Sequence, residues 1–523
     1  MATDVQIAVS RLASVNPATG EVLGELDCAG PTEVRAAVAQ ARAAQPEWNA
    51  WGIRNRVQVL RRFQQNLLAS KTDIARRITH EAGKPYVEAL LTEVLVVLDA
   101  ARFLIDNAFP ILREEKLPHG NLALKTKSGR ILHEPYGVIG IISPWNYPFS
   151  IPATETMAAL VAGNAVILKP SELTPLIAIE LQSLLRRSGV PADIFQVLPG
   201  EGATGAALVN SEIDKLVFTG SVATGRRIAQ VAAERLLPVV LELGGKDAML
   251  VLDDADADTA SSAAVWGAFV NAGQTCLSVE RCYVHASLYS VFVEACAEKA
   301  RKLHVGNGMD ASSEIGPMIH ERQVRIVESH VDDARKRGAR VVTGGVRLRE
   351  MGPTFFAPTV LADVDHGMRV MREETFGPVL PIASFADDEE AVRLANDSNY
   401  GLAASIWTPD RRRGERLARR IQAGTVMVND AVSCFSISEA PHGGVKSSGL
   451  GRTHGRWGLE EMVRVKYLDS DLVPRMKKIW WFGYGSGFTS EMESFLNLLY
   501  ARPLRDKMKA ALRSTAALWR RKL

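Results

Sequence analysis

The chain has 523 residues, 47% hydrophobic and 23% charged, which is ordinary globular composition and long enough for two or three domains. Its formal net charge of +3 argues against a nucleic-acid binder held by phosphate contacts. Five scattered cysteines without CxxC spacing disfavour a disulfide framework or a metal site, and an N-terminus without an apolar signal-peptide run predicts a cytoplasmic protein.

The first hundred residues are predicted to be rich in helix. A proline and an early acidic residue begin "PTEVRAAVAQARAAQPEWNA" (31–50), whose apolar residues recur at helical spacing. Similar amphipathic patterns follow in "NRVQVLRRFQQNLLAS" and "EALLTEVLVVLDAARFLI".

From about residue 131 the pattern changes to short β-branched runs that alternate with helical segments. The runs include "YGVIGIIS", "AVILK", "KLVFTG" and "PVVLEL", and the alternation continues from about 245 to 440. Buried strands alternating with helices predict parallel α/β sheets in two lobes. We also expect a strand pair that joins residues near 120–138 with "RVKYLDSD" near the end of the chain.

Two segments have features of a phosphate or nucleotide site. In "KLVFTGSVATGRRIA", Gly220 and Gly225 bracket a turn between a strand and a helix, where free N–H groups can bind an anion. In "AVILKPSE", Lys169 and Glu172 follow a strand, at the sheet edge where α/β proteins bind ligands. A tight turn and a surface ion pair are the simpler interpretations, and the residues alone leave both open.

Three further segments contain candidate catalytic groups. Glu242 in "LELGGK" ends an apolar strand, where burial can raise the pKa of a carboxyl into the range of a general base. Asn146 in "SPWNYPF" can donate to an oxyanion or can tie its turn. Cys276 in "NAGQTCLSVE" lies in a polar, glycine-containing loop, which can present a reactive thiol, whereas most free cysteines are inert core residues.

Taken in order, these segments resemble the NAD(P)-dependent aldehyde dehydrogenase superfamily over roughly residues 12–468. The matching motifs are "PWNYPF", "GNAVILKPSE", "FTGSVATG", "LELGGK", "GQTC", "EETFGPVLP" and "EAPHGGVKSSGLGR". The resemblance implies an α/β fold with a Rossmann-like cofactor-binding lobe, an α/β catalytic lobe and a small β oligomerisation segment. The corresponding domains are 1–118 with 139–243, then 244–440, then 119–138 with 441–470, followed by a basic tail at 471–523.

The resemblance also implies a role for each matching residue. Cys276 matches the nucleophile, Asn146 the oxyanion donor and Glu242 the base that activates water for thioester hydrolysis. The cofactor is expected to be NAD, with NADP as the alternative, and no metal is expected. Lys169, Ser171 and Glu172 match the adenosine-ribose contacts, Ser221 and the turn from Gly220 to Gly225 match the pyrophosphate contacts, and Glu374 and Phe376 match the contacts to the nicotinamide end. The full set of implied cofactor contacts is Ser143, Trp145, Lys169, Ser171, Glu172, Gly202, Phe218, Gly220, Ser221, Thr224, Gly225, Leu243, Glu374 and Phe376.

One position departs from the family pattern. His442 in "PHGG" stands where the family more often has an aromatic residue or Trp. Because it falls in the segment that joins the lobes, we expect it to lie away from the catalytic residues. Residues 98–107 and 430–438 are expected to contribute to the substrate pocket.

The tail beyond residue 470 lies outside the resemblance. Leu504, Met508, Ala511, Leu512, Thr515, Leu518 and Trp519 are spaced close to one helical face, and eight Lys or Arg lie between 502 and 522. A basic amphipathic helix of this kind predicts peripheral binding to the inner face of a membrane, with docking on another subunit as the alternative. Glu491 and Glu493 interrupt the apolar run at 479–500, so a membrane-spanning helix is not expected.

These observations predict an NAD-dependent enzyme that oxidises an aldehyde, with a medium- or long-chain aliphatic substrate suggested by the tail. A semialdehyde such as succinate semialdehyde is the alternative substrate, and a non-catalytic scaffold on the same fold is the alternative class. A CoA-acylating relative typically lacks the glutamate base, so Glu242 argues against that reaction. The small-molecule aldehyde is the expected partner, nucleic acid is not, and a homodimer or homotetramer is expected.

Overall fold

The structure is a computed structural model that describes residues 10–121, 124–478, 480–485, 487–508 and 510–511. Its described residues divide into two compact units, one within 1–115 and 131–466 and one within 116–130 and 467–523. The first unit contains both predicted α/β lobes, and the second contains the described part of the tail.

The N-terminal part begins with a small sheet, which the sequence pattern did not predict, and continues with the predicted helices. β1 (Arg11–Val15) and β2 (Val22–Asp27) form an antiparallel pair. The helices are α1 (Pro31–Ala50), α2 (Gly52–Ala82), α3 (Tyr86–Ala89) and α4 (Leu95–Leu112), with one π-helical turn at Leu90–Val94. Glu33 accepts from Gly30 N at the start of α1, and α2 ends at Gly83 with φ +81°. β3 (Glu115–Leu117) and β4 (Lys127–Pro135) follow.

The first α/β lobe is built on a parallel sheet. Its strands are β5 (Val138–Ile142), β6 (Ala165–Lys169), β7 (Phe195–Val197), β8 (Lys215–Gly220) and β9 (Val239–Leu243). The helices between them are α5 (Ser150–Ala162), α6 (Pro175–Arg187), α7 (Gly202–Val209) and α8 (Val222–Glu234). Strand order runs β9-β8-β5-β6-β7, so the chain reverses direction across the sheet beside β5. Ligands bind at the carboxyl ends of strands at such a point.

The second lobe has the same character. Its strands are β10 (Asp247–Val251), β11 (Val279–His285), β12 (Arg340–Thr343), β13 (Thr359–Ala362), β14 (Val379–Phe385), β15 (Ala403–Trp407) and β16 (Thr425–Val428). Its helices are α9 (Ala257–Phe269), α10 (Tyr289–Lys302), α11 (Glu321–Lys336), α12 (Arg369–Arg372), α13 (Asp388–Asn396) and α14 (Arg411–Ala418). The order is β12-β13-β14-β11-β10-β15-β16, with β12 antiparallel to β13.

The last segment returns to the first lobe. β17 (Gly449–Leu450) pairs antiparallel with β9, next to Glu242, and is followed by α15 (Gly455–Glu460). β18 (Val463–Asp471) lies beside β4 in a three-stranded sheet of order β18-β4-β3, which confirms the predicted strand pair. α16 (Phe488–Tyr500) lies in the tail, and a short helical turn covers 504–508.

The two lobes have separate hydrophobic cores. One surrounds the sheet of β5–β9, and the other surrounds the sheet of β10–β16. The strands β5, β6 and β10 are buried along their whole length, as expected of parallel strands covered by helices on both faces. Among the described residues, no helix is both long enough and apolar enough to cross a membrane.

Candidate active site

Cys276 lies in a loop with strained backbone. Asn271 and Ala272, just before it, have φ of +54° and +53°, a left-handed conformation that costs non-glycine residues energy. The loop is held by hydrogen bonds: Asn271 N donates to Glu88 (3.0 Å), and Asn271 Nδ2 donates to Asn146 O (3.0 Å) and Gln274 O (3.2 Å). The motif "NAGQTC" is therefore a rigid support for the thiol.

Asn146 lies beside the same loop, in the segment that follows β5. Its Nδ2 donates to Gln274 O (3.0 Å), and because an amide has two N–H donors, one remains for an oxyanion. The main chain of Asn146 is fixed by Lys84, whose Nζ donates to Asn146 O (2.8 Å). Glu93 completes the support through a fully buried ion pair with Lys84 (2.7 Å) and a bond from Ser150 N (2.7 Å).

Glu242, near the end of β9, is a buried carboxyl without a hydrogen bond from the described residues. Burial raises the pKa of Glu242 well above its usual range, the nearby Glu155 raises it further, and Arg452 partly offsets the shift. Glu155, on α5, is itself buried, which raises its pKa to about 8. A carboxyl in this setting has the basicity that general-base catalysis near neutral pH requires.

The Cys276 thiol is partly buried, and burial raises its pKa well above the ordinary value. The negative charges of Asp247, Glu374 and Glu242 raise the pKa of the thiol further, so Glu242 is close enough to Cys276 to affect its ionisation. The thiol is therefore protonated in the free protein, and a base must remove its proton before attack. The structure thus brings Cys276, Asn146 and Glu242 together, although they come from different segments.

The end of β6 carries three of the residues expected to contact the adenosine ribose. Lys169 and Ser171 are buried, and the Glu172 side chain is 46% exposed. Lys169 Nζ lies 3.3 Å from Glu172 Oε2, and burial lowers the pKa of the lysine while Glu172 opposes that shift. Two of the residues expected to contact the cofactor, Lys169 and Glu172, therefore also form an ion pair with each other. Gly202 begins α7, with open space beside its Cα.

The turn between β8 and α8 has the geometry of an anion site. Ser221 caps the thirteen-residue helix α8 by accepting from Thr224 N (3.3 Å). The other main-chain N–H groups at the start of a helix are the donors that an anion binds. An added Cβ at Gly225 would overlap the Leu243 side chain, and one at Gly220 would overlap Phe218. Because these glycines allow close packing of strand and helix, the turn stays narrow.

The buried hydroxyl of Ser143 is an observation that bears on whether this lobe can bind a nicotinamide dinucleotide. Its Oγ is buried at the carboxyl end of β5, and it has no hydrogen-bond partner among the described residues. A buried hydroxyl normally has a partner, so this one indicates a missing ligand group. Together with the α8 N-terminus and the polar end of β6, it makes a site that fits NAD or NADP.

The expected nicotinamide contacts lie on a loop fixed by a buried acid. Glu280 accepts from Thr375 N (2.9 Å) and Phe376 N (2.9 Å), and it forms a buried ion pair with Lys246. Phe376 is held at φ +51° and packs edge-on against Trp145, with ring centroids 5.4 Å apart. The loop therefore has one defined position.

Glu374 reaches the glycine pair that follows Glu242. It accepts from Gly245 N (3.0 Å), and an added Cβ at Gly244 would overlap its carboxylate. An added Cβ at Gly245 would overlap Cys276 O. The Gly-Gly pair of "LELGGK" is thus needed for the close approach of both segments. Burial raises the pKa of Glu374 to about 8.

A cavity of about 60 Å³ opens beside Cys276, and none of the described residues that line it is charged. Residues 430–438 contribute to it, as expected. Residues 98–107 do not: their Ala100, Phe103 and Leu104 line a separate cavity of about 30 Å³. The lining residues beside Cys276 are Thr92, Tyr147, Ile151, Trp266, Val270, Thr275, Leu277, Val432, Ser433, Phe435 and Ser436.

The expectation for His442 is wrong. Its Nε2 lies 3.8 Å from Glu242 Oε2, inside the active site. Sequence reasoning also missed the buried charged residues that support the site, namely Lys84, Glu93, Glu155, Lys246 and Glu280. A usable signal was present, because an acid within an apolar stretch, such as Glu93 in "LLTEVLVV" (90–97), predicts a carboxyl that needs a buried partner. In the described part of the chain, no group of three His, Cys, Asp or Glu could hold a metal.

The comparisons with known proteins agree with this geometry. The model of the aldehyde dehydrogenase family matches residues 6–468. A 4,4'-diapolycopene aldehyde oxidase of Methylomonas sp is 40% identical over 495 residues, covering 94% of this chain and 92% of that protein. An NADP+-dependent succinate-semialdehyde dehydrogenase of Escherichia coli is 38% identical, covering 87% of this chain and 93% of that protein.

Solved structures give the same result. The NAD+ complex of an aldehyde dehydrogenase from Bacillus cereus is 34% identical, with a TM-score of 0.85 over 88% of this chain and 94% of that chain. An E. coli NADP-dependent enzyme is 37% identical, also with a TM-score of 0.85, over 88% and 95%. The chain therefore belongs to the aldehyde dehydrogenase family, and it is an oxidoreductase of that fold that uses NAD or NADP.

Proposed function

We propose that the protein oxidises an apolar, medium- or long-chain aldehyde to the carboxylic acid by covalent catalysis at Cys276. The uncharged cavity beside the thiol is the observation that carries this proposal. Burying a carboxylate without a cationic or strongly polar partner is costly, so a semialdehyde acid would bind poorly among these side chains. An aliphatic or polyene chain would bury its apolar surface against these side chains and away from water, which favours its binding.

The chain's own residues account for each step. The Cys276 thiol gives its proton to the Glu242 carboxylate, which passes it on to solvent, and the sulfur attacks the aldehyde carbon to form a thiohemiacetal, whose oxyanion accepts from Asn146 Nδ2. Bound NAD supplies the hydride acceptor for oxidation to a thioester. Glu242 then takes a proton from water, whose oxygen attacks the thioester carbon and releases the acid and the Cys276 sulfur. This use of Glu242 favours hydrolysis over acyl transfer to CoA.

The extent of one sequence match supports the apolar substrate. Because the match with the diapolycopene aldehyde oxidase covers 94% of the 523 residues, it must extend past residue 470. It therefore includes part of the tail, which lies past the family match at 6–468. The match with the succinate-semialdehyde dehydrogenase takes in 458 residues, a length that the family region can accommodate.

A substrate panel tests this proposal. We expect kcat/KM, followed by NADH absorbance, to rise along a series from butanal to decanal and to be at least tenfold lower for succinate semialdehyde than for decanal. Product analysis with and without CoA should give the free acid in both cases. A preference for succinate semialdehyde over the apolar aldehydes would contradict the proposal.

We also propose that NAD is preferred over NADP. The carboxylate of Glu172, at the end of β6, can accept from ribose hydroxyls but would repel a 2′-phosphate. Lys169 is already paired with Glu172, which reduces its attraction for a phosphate. We expect a lower KM for NAD than for NADP, and Glu172→Gln should narrow the difference. A lower KM for NADP in the unchanged protein would contradict this preference.

The tail supports a location at a membrane surface. In the second unit, Trp480, Trp481, Phe482 and Tyr484 are all exposed, and Phe482 is 96% exposed. Leu504 and Met508 of the predicted amphipathic helix are exposed as well, whereas Leu512, Thr515, Leu518 and Trp519 lie outside the described residues. Basic residues adjoin these side chains, as in a segment that binds an anionic membrane surface.

Segments 119–138 and 441–470 are proposed as the oligomerisation region of a homodimer or homotetramer.

A further inference from the structure

His442 occupies a fixed, buried position beside the proposed base. Its main chain forms an isolated antiparallel bridge with Thr453, in which each N–H donates to the other residue's carbonyl at 2.8 Å. The side chain is 7% exposed, and its Nε2 lies 3.8 Å from Glu242 Oε2. Where the family pattern has an aromatic residue, this chain therefore directs an imidazole at the carboxyl.

Neither group has a hydrogen-bond partner among the described residues, because both Glu242 oxygens and His442 Nδ1 are buried without one. Gly443, which has φ +147°, leaves room for the carboxylate, since an added Cβ there would lie 2.9 Å from Glu242 Oε1. A distance of 3.8 Å between His442 Nε2 and Glu242 Oε2 is too long for a hydrogen bond, and rotation of the carboxyl toward the imidazole would form one.

A second histidine supports the position of the first. His454 has φ +60° and ψ 162°, a conformation that is essentially confined to glycine and persists only where the surroundings impose it. The Phe435 ring packs edge-on against both imidazoles, with centroids 5.1 Å from His442 and 4.6 Å from His454. His454 Nδ1 lies 3.2 Å from Thr453 Oγ1. The ring of His442 is therefore held between a rigid aromatic group and Glu242.

We propose that His442 is a positioning residue for Glu242, pairing with the carboxyl in both of its protonation states. The inference depends on the proposed role of Glu242 as the base. A neutral imidazole can donate from Nε2–H to an oxygen of the carboxylate, and the carbonyl oxygen of the carboxylic acid can accept the same hydrogen bond, so no proton has to move within the imidazole. Phenylalanine at this position could donate to neither form. The imidazole thus keeps Glu242 aimed at the thioester while it gains and loses the water's proton.

The charges around the pair determine the direction of its effect. Glu242 is faced by Glu155 on α5, by Arg452 after β17 and by the Cys276 thiol, while His454 and Arg452 face His442. Burial lowers the pKa of His442 to about 3, so the ring is neutral at the pH of catalysis. Because a hydrogen bond to an ionised carboxylate is stronger than one from the neutral acid, His442 lowers the pKa of Glu242 relative to phenylalanine.

The variant His442→Phe tests this role. We expect steady-state acid formation near pH 7.5 to fall about tenfold, the size of one lost hydrogen bond, while the burst of NADH from the acylation step keeps its amplitude. The acid limb of the kcat profile should move to higher pH. His442→Gln retains a donor and an acceptor and should recover much of the loss. His366→Phe is the control, because that histidine pairs with Asp397 and Tyr283 and should leave the profile unchanged.

Thermal unfolding and NAD binding are measured on every variant, so that a folding defect is recognised. An unchanged pH profile and hydrolysis rate in His442→Phe would overturn the inference, as would an equal loss in His442→Phe and His442→Gln. In a Glu242→Gln background His442→Phe should have no further effect, and an additive loss would also overturn it. If Glu242→Gln alone hydrolysed the thioester normally, the proposed function of Glu242 would fail instead, so the two failures are distinguishable.

Discussion

At the scale of single residues, burial controls the chemistry of this site. The same desolvation that raises the pKa of Glu242 also raises the pKa of the Cys276 thiol. The ionised carboxylate of Glu242 can take the proton of the nearby thiol, because the transfer only moves the single negative charge from the carboxylate to the sulfur and leaves the net charge of the pair unchanged. The core cysteines differ: burial raises the pKa of Cys296 as well, but its neighbours are core side chains.

Replacing the nucleophile should stop the reaction and spare the fold. We expect Cys276→Ser to reduce aldehyde oxidation by at least a thousandfold, because serine at this position lacks the acidity of a thiol, while NAD binding stays intact. NADH absorbance and fluorescence titration with NAD measure the two effects. Cys296→Ser, at a buried position away from the loop, is the matched control for turnover. Normal turnover in Cys276→Ser would exclude the covalent mechanism.

Glu242 should govern the pH dependence. A carboxyl with a raised pKa is ionised only above that pKa, so steady-state acid formation should rise from neutral to alkaline pH and should be lost as pH falls. Glu242→Gln should give one NADH burst per active site and then stall, with the acyl-enzyme detectable by mass spectrometry. Full steady-state hydrolysis by this variant at any pH would remove Glu242 from the role of base.

At the scale of elements, buried ion pairs position the loops on which the site residues lie. Lys84 with Glu93 fixes the segment after β5, and Lys246 with Glu280 fixes the segment that contains Phe376. In each case one member of the pair also forms a hydrogen bond with the main chain of the loop. The ion pair therefore holds the loop in one position. Such pairs give modest stability overall, but removing one partner leaves a buried charge uncompensated.

Glu280→Gln should therefore affect both stability and cofactor binding. We expect the free energy of unfolding to fall by about 3 kcal/mol, because Lys246 stays buried without its carboxylate. The KM for NAD should rise, since glutamine has one acceptor oxygen where the two carboxylate oxygens accept from Thr375 N and Phe376 N. Thermal unfolding and steady-state kinetics measure these effects, and Glu298→Gln, which breaks an exposed pair with Lys302, should leave the stability nearly unchanged. Equal stability of the two variants would contradict this role for Glu280.

At the scale of the whole molecule, the catalytic lobes and the tail form separate units with different surfaces. The lobes bury their apolar residues in two cores, whereas the tail exposes a run of aromatic side chains at 480–484. Exposed aromatic residues next to basic ones are typical of a surface that meets a membrane or another protein. An enzyme that acts on apolar aldehydes would benefit from a location where such substrates concentrate.

Vesicle sedimentation tests the tail in the full chain. We expect the protein to co-sediment with vesicles containing phosphatidylglycerol at low salt, because each basic residue near the surface contributes on the order of 1 kcal/mol to the binding free energy. The protein should detach as salt screens this attraction. The double variant Trp481→Ser, Phe482→Ser should bind at least tenfold more weakly and keep its activity on short aldehydes. Leu236→Ser, which replaces an 88% exposed leucine of the first unit, is the matched control. Equal binding by all three proteins would exclude the aromatic run as the contact.

The sequence by itself determined the fold class, the family and the three residues proposed for catalysis. Parallel strands buried on both faces must be continuous apolar runs, and the loops that leave them must carry glycine and polar groups, so both appear as local patterns. For the same reason the motifs around Asn146, Glu242 and Cys276 could be read without knowing their distances.

Tertiary structure alone decided which groups surround those residues and how they titrate. Glu242 and His442 are separated by two hundred positions, and Lys84 and Asn146 by sixty-two, so no local pattern relates them. Lys246 with Glu280 is a further example, since each residue alone is compatible with a surface position. The pKa shifts depend on desolvation by the complete fold, which is why the sequence could suggest a base at Glu242 but could not reveal the imidazole beside it.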